Sequence, residues 1–445
     1  MLGIDEAKRI VELAIAHSKA DQTEVLILAE ESNLTRFANS GIHQNVSERN
    51  VDIRVRAVLG KRVGVASTNV LTPSAIRAVV EDACSISRLQ EENPDFVSLP
   101  EPAPIKPTNA YVERTAKSSA MDRARMVGVI CKKAVEKGMS AAGSLTTATK
   151  EIAVANSLGI FGYHPSTTAE ITVVIAGQDS TGYANALSTD VSDIDVEKVA
   201  QEALDKALRS RNPILLEPGE YEVVLEEYAT SDIVDFLAQT GLNALALQEG
   251  RSFVVGKLGQ RILDPSISIW DDGLDPATLP MPFDYEGVPK RKVDLIDKGV
   301  AVGVTYDSYT AKRAGKESTG HALPAPNTEG PIPINVFLKP GAATKEEMVK
   351  QTRRGIWVTR FWYTRTVHPL TVVVTGMTRD GTFLIENGEI TRAVKNFRFT
   401  QGYLDALNNV QMLGRSTKLQ RNWFGASRVP ALKIGKWNFT SVTEY

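Results

Sequence analysis

Hydrophobic positions near the start of the chain recur with two different periods. Ala7, Ile10, Val11 and Ala14 fall at helical spacing, which predicts an amphipathic helix. Apolar and charged side chains then alternate one by one over 51–57, as they do in a strand with one buried face. The chain is therefore expected to open with a helix followed by a half-buried antiparallel strand.

Turn and capping signals divide the rest of the first half. Gly60 predicts a turn that makes a hairpin, and the pair Thr72-Pro73 predicts an N-cap and the first turn of a helix. Residues 94–107 hold five prolines, which remove amide donors and keep the backbone extended. We interpret this stretch as a connector inside an N-terminal α+β domain that spans residues 1–215.

The second half, residues 216–445, has a different pattern. Short strand-like runs are separated by tight turns, of which the Asn-Gly pair at 387–388 is the strongest hairpin signal. One helix interrupts them: Thr344 and Glu347 have capping-box spacing, and Gly355 is expected to end that helix. The predicted fold class is α+β, with N-terminal helices on a mostly antiparallel sheet followed by a β-rich C-terminal domain; no solenoid-type repeat is visible.

Composition narrows the class of protein. The net charge of −2 and the absence of a basic stripe argue against nucleic acid as the main partner. Two cysteines, Cys84 and Cys131, lie on apolar helical faces and are expected to be buried thiols, which suits a reducing compartment. Without a signal-peptide pattern or an apolar stretch of about 20 residues, we expect a cytoplasmic protein with no membrane partner.

Metal chemistry has weak support in the sequence. A zinc hydrolase needs three deprotonated protein ligands and an open position for water. No His-Glu-x-x-His pair occurs, and a site assembled from distant histidines stays open. The five histidines are His17, His43, His164, His321 and His368.

Phosphate-binding and acid–base motifs have little support in the sequence either. Residues 250–258 superficially resemble a P-loop but have one residue too many between the glycines. Glu226, Glu227, Asp232 and Asp235 form an acidic cluster in a predicted first helical turn. Such acids could hold a divalent ion or act in acid–base catalysis. We favour the simpler interpretation that they complement the helix dipole.

Five segments, in this order, resemble the TldD/PmbA family and together span nearly the whole chain. One of them, Phe-Asp-Tyr-Glu-Gly-Val-Pro, is similar to the family's F-D-x-E-G-x-P stretch; each segment is weakly specific alone, and the five in order carry the resemblance. The segments are Thr35–Ser40, Asn156–Gly159, Phe283–Pro289, Ser318–His321 and Leu384–Ile390.

The resemblance also separates two branches of the family. TldD-type members carry a helix with His-Glu-x-x-x-His and a C-terminal cysteine as zinc ligands. Here Asp235 and Thr240 stand at the histidine positions and Phe236 at the glutamate, and the stretch 420–427 has no cysteine. The resemblance therefore implies the PmbA branch, also called TldE, with no zinc, no general base and no cofactor.

This branch implies a function. We expect a non-catalytic subunit that pairs with a TldD-type protease, or with a second copy of itself, and binds unfolded peptides in an extended-strand mode. The candidate substrate-binding residues are His321, Thr319 and Asp235. The first two lie in the loop Ser318–His321, and Asp235 lies at a histidine position of the TldD-type helix.

Two alternatives stay open at this point. The chain could itself be a divergent metallopeptidase, with His321 and His368 plus Asp235 or Asp271 as ligands. It could also be a stand-alone peptide-binding homodimer without a protease partner.

Overall fold

The computed structural model describes residues 1–443 and confirms the α+β class. The helices are α1 Ile4–His17, α2 Pro73–Leu89, α3 Glu113–Ala116, α4 Ala120–Glu136, α5 Val196–Arg209, α6 Glu227–Gly241, α7 Ala244–Gln248, α8 Ser308–Arg313, α9 Lys345–Lys350 and α10 Tyr403–Asn408. The first six strands are β1 Gln22–Ala38, β2 Gly41–Leu59, β3 Arg62–Thr68, β4 Ser140–Asn156, β5 Phe161–Ala176 and β6 Thr181–Ser188. The later strands are β7 Gly219–Leu225, β8 Ile269–Asp271, β9 Val293–Asp297, β10 Val300–Ala301, β11 Asn335–Leu338, β12 Arg354–His368, β13 Val373–Glu386, β14 Glu389–Ala393, β15 Phe397–Gly402, β16 Val410–Arg421 and β17 Ala426–Val442.

The first six strands form one antiparallel sheet, the N-terminal sheet, in the order β3-β2-β1-β4-β5-β6. Helices α1 and α2 cover one half of its first face, and α4 and α5 cover the other half. The helix predicted from Ala7, Ile10, Val11 and Ala14 is confirmed, since all four side chains are buried. The apolar stripes of these helices and the alternating strands therefore make two adjoining cores on one side of the sheet.

The N-terminal sheet contains an internal repeat. The order helix, three strands, helix occurs twice, and the central strands β1 and β4 each have 17 residues. These two strands pair antiparallel, with Glu31 opposite Thr149, so the halves are related by an approximate two-fold axis. Gly64 in β3 and Gly182 in β6 have matching roles, because each lets its strand approach a helix backbone closely.

The later strands form a second, mixed sheet that closes on itself. Strand β17 pairs with both β15 and β7, and the path β15-β13-β12-β7 completes the ring. Closure leaves no free edge within the ring and encloses a core of aromatic side chains. They include Phe361, Phe397, Phe399, Trp437 and Phe439.

The two sheets meet across the second face of the N-terminal sheet. Phe283, from the F-D-x-E-G-x-P stretch, packs against Leu26 of β1 and Val154 of β4. Beside this contact, Arg56 of β2 donates to carboxylate oxygens of Glu24 and of Glu286. The stretch that carried the family resemblance therefore lies at the junction between the two halves of the chain.

The proline-rich connector lies extended along the N-terminal sheet between α2 and α3, as predicted. Backbone or side-chain hydrogen bonds attach it and its flanking residues to three strands, β1, β4 and β5, and to the turn between β2 and β3. Its anchors are Asn93 N to Lys61 O at 3.0 Å, Leu99 N to Gln22 Oε1 at 2.8 Å, Asn156 Nδ2 to Pro100 O at 2.7 Å and Thr167 N to Ala110 O at 2.9 Å.

Most of the predicted capping signals are confirmed. Thr72 caps α2, and Thr344 forms a capping box with Glu347 at the start of α9. The expectation for Gly355 is wrong: α9 ends at Lys350, and Gly355 lies inside β12. Its lack of a side chain serves strand pairing instead, since a Cβ there would lie 2.7 Å from the backbone oxygen of Glu222.

Cys84 and Cys131 are buried free thiols on the apolar faces of α2 and α4, as predicted. Within residues 1–443, no helix combines the length and the apolar character that crossing a membrane requires.

The two close-approach glycines give the first prediction. A Cβ at Gly64 would lie 2.3 Å from Ala83 O, and one at Gly182 would lie 2.1 Å from Ala203 O. Because both neighbours are backbone atoms, Gly64→Ala and Gly182→Ala should each lower the free energy of unfolding by about 1–3 kcal/mol in urea denaturation. Gly128→Ala is the control: that position in α4 is open, and stability should rise by about 0.5–1 kcal/mol. Equal effects at all three positions would contradict the repeat-based packing.

Candidate functional site

A polar cleft of about 440 Å³ lies where α6 and the end of β16 meet strands β5 and β6. We call it the junction cleft, because its walls come from both halves of the chain. The residues that line it are Glu170, Tyr183, Asn185, Tyr228, Ser231, Asp232, Asp235, Arg360, Phe361, Gln420, Arg421, Asn422 and Trp423.

The entrance to α6 is fixed by buried ion pairs. Glu226, the residue before the helix, accepts hydrogen bonds from Lys206 Nζ at 2.8 Å and Trp357 Nε1 at 2.8 Å. The next residue, Glu227, accepts from Lys345 Nζ at 3.2 Å. Two of the four acids in the predicted cluster are therefore neutralised by lysines, and they anchor the helix instead of binding a ligand.

Asp232 has a different environment. Its Oδ1 accepts from the hydroxyl of Tyr403 at 2.6 Å, and its Oδ2 accepts from Thr364 Oγ1 at 2.8 Å. Burial raises the pKa of Asp232 to about 6, against the opposing effect of these two hydrogen bonds. Within residues 1–443, no cation forms an ion pair with this buried carboxylate.

Asp235 lines the cleft beside Asp232, one turn later in α6. Burial raises its pKa to about 7; a hydrogen bond from Gln239 lowers it, and the charge of Asp232 raises it further. One turn earlier, Ser231 Oγ lies 2.7 Å from Ser427 Oγ, which attaches α6 to the start of β17. Asp235 is therefore poised between its neutral and charged forms close to neutral pH.

The structure brings Asp235 and the stretch 420–427 together, as the family resemblance implied. Thr240 is not part of the cleft lining, and its hydroxyl donates to Phe236 O at 2.6 Å. The cleft offers carboxylates but no imidazole or thiolate, and no group of three or more His, Cys, Asp or Glu that could hold a metal occurs among residues 1–443. The donors present do not fit a zinc site, which needs three such ligands in one place.

Sequence reasoning missed the aromatic and basic wall of the cleft. The guanidinium of Arg360 stacks on Tyr183 at 4.1 Å and on Trp362 at 4.8 Å, and it also donates to Asp380. Trp423, at the turn between β16 and β17, has 83% of its surface exposed. The one sequence feature that pointed to this wall was Trp423, which lies in the stretch 420–427 where TldD-type members have a cysteine.

His321 and Thr319 lie elsewhere, inside the C-terminal half. The His321 side chain has no exposed surface; its Nε2 lies 2.8 Å from Asp271 Oδ1 and its Nδ1 lies 2.9 Å from Thr319 Oγ1. Burial and the nearby charge of Lys290 lower the pKa of His321. Burial of Asp271 raises its pKa, but the charges of His321 and Lys290 outweigh that effect and lower the pKa to about 2. The structure does not place His321 and Thr319 beside Asp235, and the role of His321 and Thr319 in substrate binding stays a prediction.

The ligand set of the metallopeptidase alternative is likewise dispersed. Of its members, only His321 and Asp271 are in contact. His368 lies at the exposed end of β12, where its Nδ1 is 2.9 Å from Thr371 Oγ1.

Three family profiles match the chain in succession. They are PmbA/TldA metallopeptidase domain 1 over residues 23–87, the central domain over 99–211 and the C-terminal domain over 218–441. The chain belongs to the PmbA/TldD family. The first two profiles coincide with the two halves of the internal repeat, and the third coincides with the closed sheet.

Individual relatives are distant. A metalloprotease of Methanothermobacter thermautotrophicus is 25% identical over 52% of this chain and 51% of its own length, so the chain spans about half of that protein. Metalloprotease PmbA of Escherichia coli O157:H7 is 24% identical over 95% of this chain and 94% of its own. The crystal structure of TldE from Thermococcus kodakarensis superposes with a TM-score of 0.88, covering 98% of this chain and 100% of that one, at 20% identity.

Asp235 gives a prediction about pH. Its folded-state pKa of about 7 lies above the ordinary value of 3.8, so the folded protein binds this proton more tightly than the unfolded chain does. Stability should therefore fall as pH rises from about 4 to 7, by at most about 1.4 kcal/mol per pH unit from this group. Asp235→Asn should remove that fall and leave the variant more stable than wild type at pH 8, measured by urea denaturation across pH. Glu91→Gln, an exposed change of equal charge, should leave the pH profile unchanged.

His321 gives a second prediction. His321→Ala leaves the buried carboxylate of Asp271 without its imidazole partner, which should lower the free energy of unfolding by about 2–4 kcal/mol. Thermal and urea denaturation measure this change. Unchanged stability together with weaker peptide affinity would contradict the structural role and favour the substrate-binding one.

Proposed function

We propose that this chain is a non-catalytic, metal-free subunit that holds unfolded peptides for a TldD-type protease. The observation that carries the proposal is the composition of the junction cleft. At the place where the family resemblance locates the zinc ligands, the cleft presents Asp235, Trp423 and Arg421. These groups suit recognition of a polypeptide better than activation of a metal-bound water.

The lining matches the chemistry of an extended peptide. Main-chain N–H and C=O groups need both acceptors and donors. The cleft supplies an acceptor in Asp235 and a donor in Asn422 Nδ2, which has no hydrogen-bond partner within residues 1–443. The exposed indole of Trp423 offers a flat apolar surface for a peptide side chain. Recognition by such groups depends little on sequence, which fits unfolded substrates of varied composition.

A protease partner would supply the missing metal chemistry. Support for association comes from the far end of the β12–β13 hairpin, where large apolar side chains are exposed beside arginines. Trp362, Tyr363, Val367 and Leu370 are between 42% and 63% exposed, a composition typical of protein interfaces. The partner would be a TldD-type subunit or, in its absence, a second copy of the chain. The two free buried thiols support a cytoplasmic setting.

Co-expression with a TldD-type protein tests this function. An unstructured peptide would be offered to each protein alone and to the mixture, with bound zinc measured in each sample. We expect no cleavage and no stoichiometric zinc for this chain alone, and cleavage by the mixture at least about tenfold faster than by the partner alone. Chelator-sensitive cleavage by this chain alone would overturn the proposal.

Trp423 gives a residue-level prediction for the same assay. Trp423→Ser should raise the peptide KM of the mixture by about tenfold without changing co-purification, because the indole is exposed and supports no core packing. Leu215→Ser is the matched control, since Leu215 is also exposed, at 69%, but does not line the junction cleft. Equal effects of the two substitutions would argue against a peptide contact at Trp423.

A further inference from the structure

The edge of β2 is open over most of its length. Strand β2 pairs with β1 along its whole length, but β3 covers only Ile53–Leu59 on the other side. Residues Gly41–Asp52 therefore present one row of backbone groups to solvent, and nearly all their side chains are exposed. This open edge contains no proline and no lysine, the residues that proteins commonly use to block strand addition.

The direction of the free groups follows from the pairing register. Val58 O accepts from Asp21 N on the β1 side, so even-numbered residues of β2 turn their backbone groups inward. Ser47, Arg49 and Val51 consequently turn their N–H and C=O groups outward. None of these backbone groups has a hydrogen-bond partner elsewhere in residues 1–443.

The internal repeat shows what such an edge accepts. In the second half, β6 covers only Ala169–Ala176 of β5, which leaves the equivalent edge free. There the chain's own connector fills it: Ala110 forms a parallel bridge with Ser166, and Thr167 N donates to Ala110 O at 2.9 Å. An extended, proline-flanked segment is therefore already bound as an added strand at one of the two related edges.

The positions correspond residue by residue. Ser166 pairs with Lys150, the eleventh residue of β4, and Glu48 pairs with Ser32, the eleventh residue of β1. Glu48 thus occupies in β2 the place that Ser166 occupies in β5. Within residues 1–443, no isolated bridge at Glu48 corresponds to the bridge between Ala110 and Ser166.

We propose that the open edge Gly41–Asp52 binds an extended peptide as a seventh strand of the N-terminal sheet. The proposal rests on the proposed function and extends it, since it gives the unfolded substrate a second contact away from the junction cleft. Hydrogen bonds would run between the peptide main chain and the outward groups of Ser47, Arg49 and Val51.

The size and charge of the edge favour a peptide over a second copy of the chain. A strand of this length gives a contact of roughly 40 Å by 10 Å, about half of the ~800 Å² per partner typical of stable complexes. Glu48 has no ion-pair partner within residues 1–443, whereas Asp52, which lines the same pocket, is paired with Arg54. The edge therefore favours neutral or basic peptides over acidic ones.

Ser47 allows a selective test. Its N–H points outward, so Ser47→Pro removes one donor from the edge without breaking a bond to β1. Ser47→Ala removes the hydroxyl and keeps the N–H. The probe is a fluorescein-labelled peptide of about twelve residues that alternates threonine and lysine, and affinity is read by fluorescence anisotropy at fixed salt. We expect Ser47→Pro to weaken binding at least tenfold and Ser47→Ala to bind like wild type.

A second measurement does not depend on the variants' stability. Wild-type protein is titrated with the same peptide carrying N-methyl groups on alternate amides, in both possible phases. One phase should abolish binding and the other should preserve it, as strand addition requires. Equal binding of both methylated peptides, or unchanged affinity of Ser47→Pro, would overturn the proposal.

Hydrogen exchange separates the remaining outcomes. The amides of Ser47, Arg49 and Val51 should exchange fast in the free protein and slow down with the peptide, whereas Thr167 should be protected throughout. Protection that grows with protein concentration without peptide would show that a second copy covers the edge and would also overturn the proposal. Loss of edge binding with intact stimulation of the protease would leave the proposed function standing.

Discussion

The guanidinium of Arg56 lies between two carboxylates, one from its own sheet and one from the other half of the chain. Glu24 and Glu286 are 4% and 7% exposed and the Arg56 side chain is 14% exposed, so all three groups are largely removed from water. Moving a charge into the interior costs several kcal/mol unless its partners stay in place. Glu286 is held in turn by its own loop, in which Asp284 Oδ1 accepts from the N–H groups of Glu286 and Val288. The orientation of the closed sheet against the N-terminal sheet therefore depends on this triad.

The shape of the junction cleft depends on that orientation, because its walls come from both halves of the chain. Its walls are joined across the two halves by a reciprocal amide pair between Asn185 and Gln420 and by the ion pair of Lys206 with Glu226. Arg56 itself is not part of the cleft lining. The acids that look like one cluster in the sequence end in three separate environments: paired with lysine, bonded to hydroxyls, or open to the cleft.

The sequence predicted the elements better than their extents. The alternation at 51–57 marks only the buried end of β2, because most residues of Gly41–Asp52 are exposed whichever face they lie on, and the segment shows no hydrophobic period. The internal repeat was invisible for a similar reason, since it resides in strand order and in two glycines, Gly64 and Gly182, rather than in a shared motif. Asp235 and the stretch 420–427 could be associated only through the family resemblance, because their contact joins positions far apart in the chain. His321 was predicted on a loop, but nothing in its local sequence shows that its side chain would be buried in contact with Asp271.

The connector that follows α2 has a consequence for chain integrity. Exposed, proline-rich segments between domains are usual sites of proteolytic cleavage. Here the backbone is attached at Asn93, Leu99, Pro100 and Ala110 to strands from both repeats. A single cut within it would leave two fragments that remain bound through the β1–β4 pairing and through these anchors. The N-terminal sheet would therefore remain folded after the cut. Its two halves would then be held together non-covalently, like the subunits of a two-chain protein.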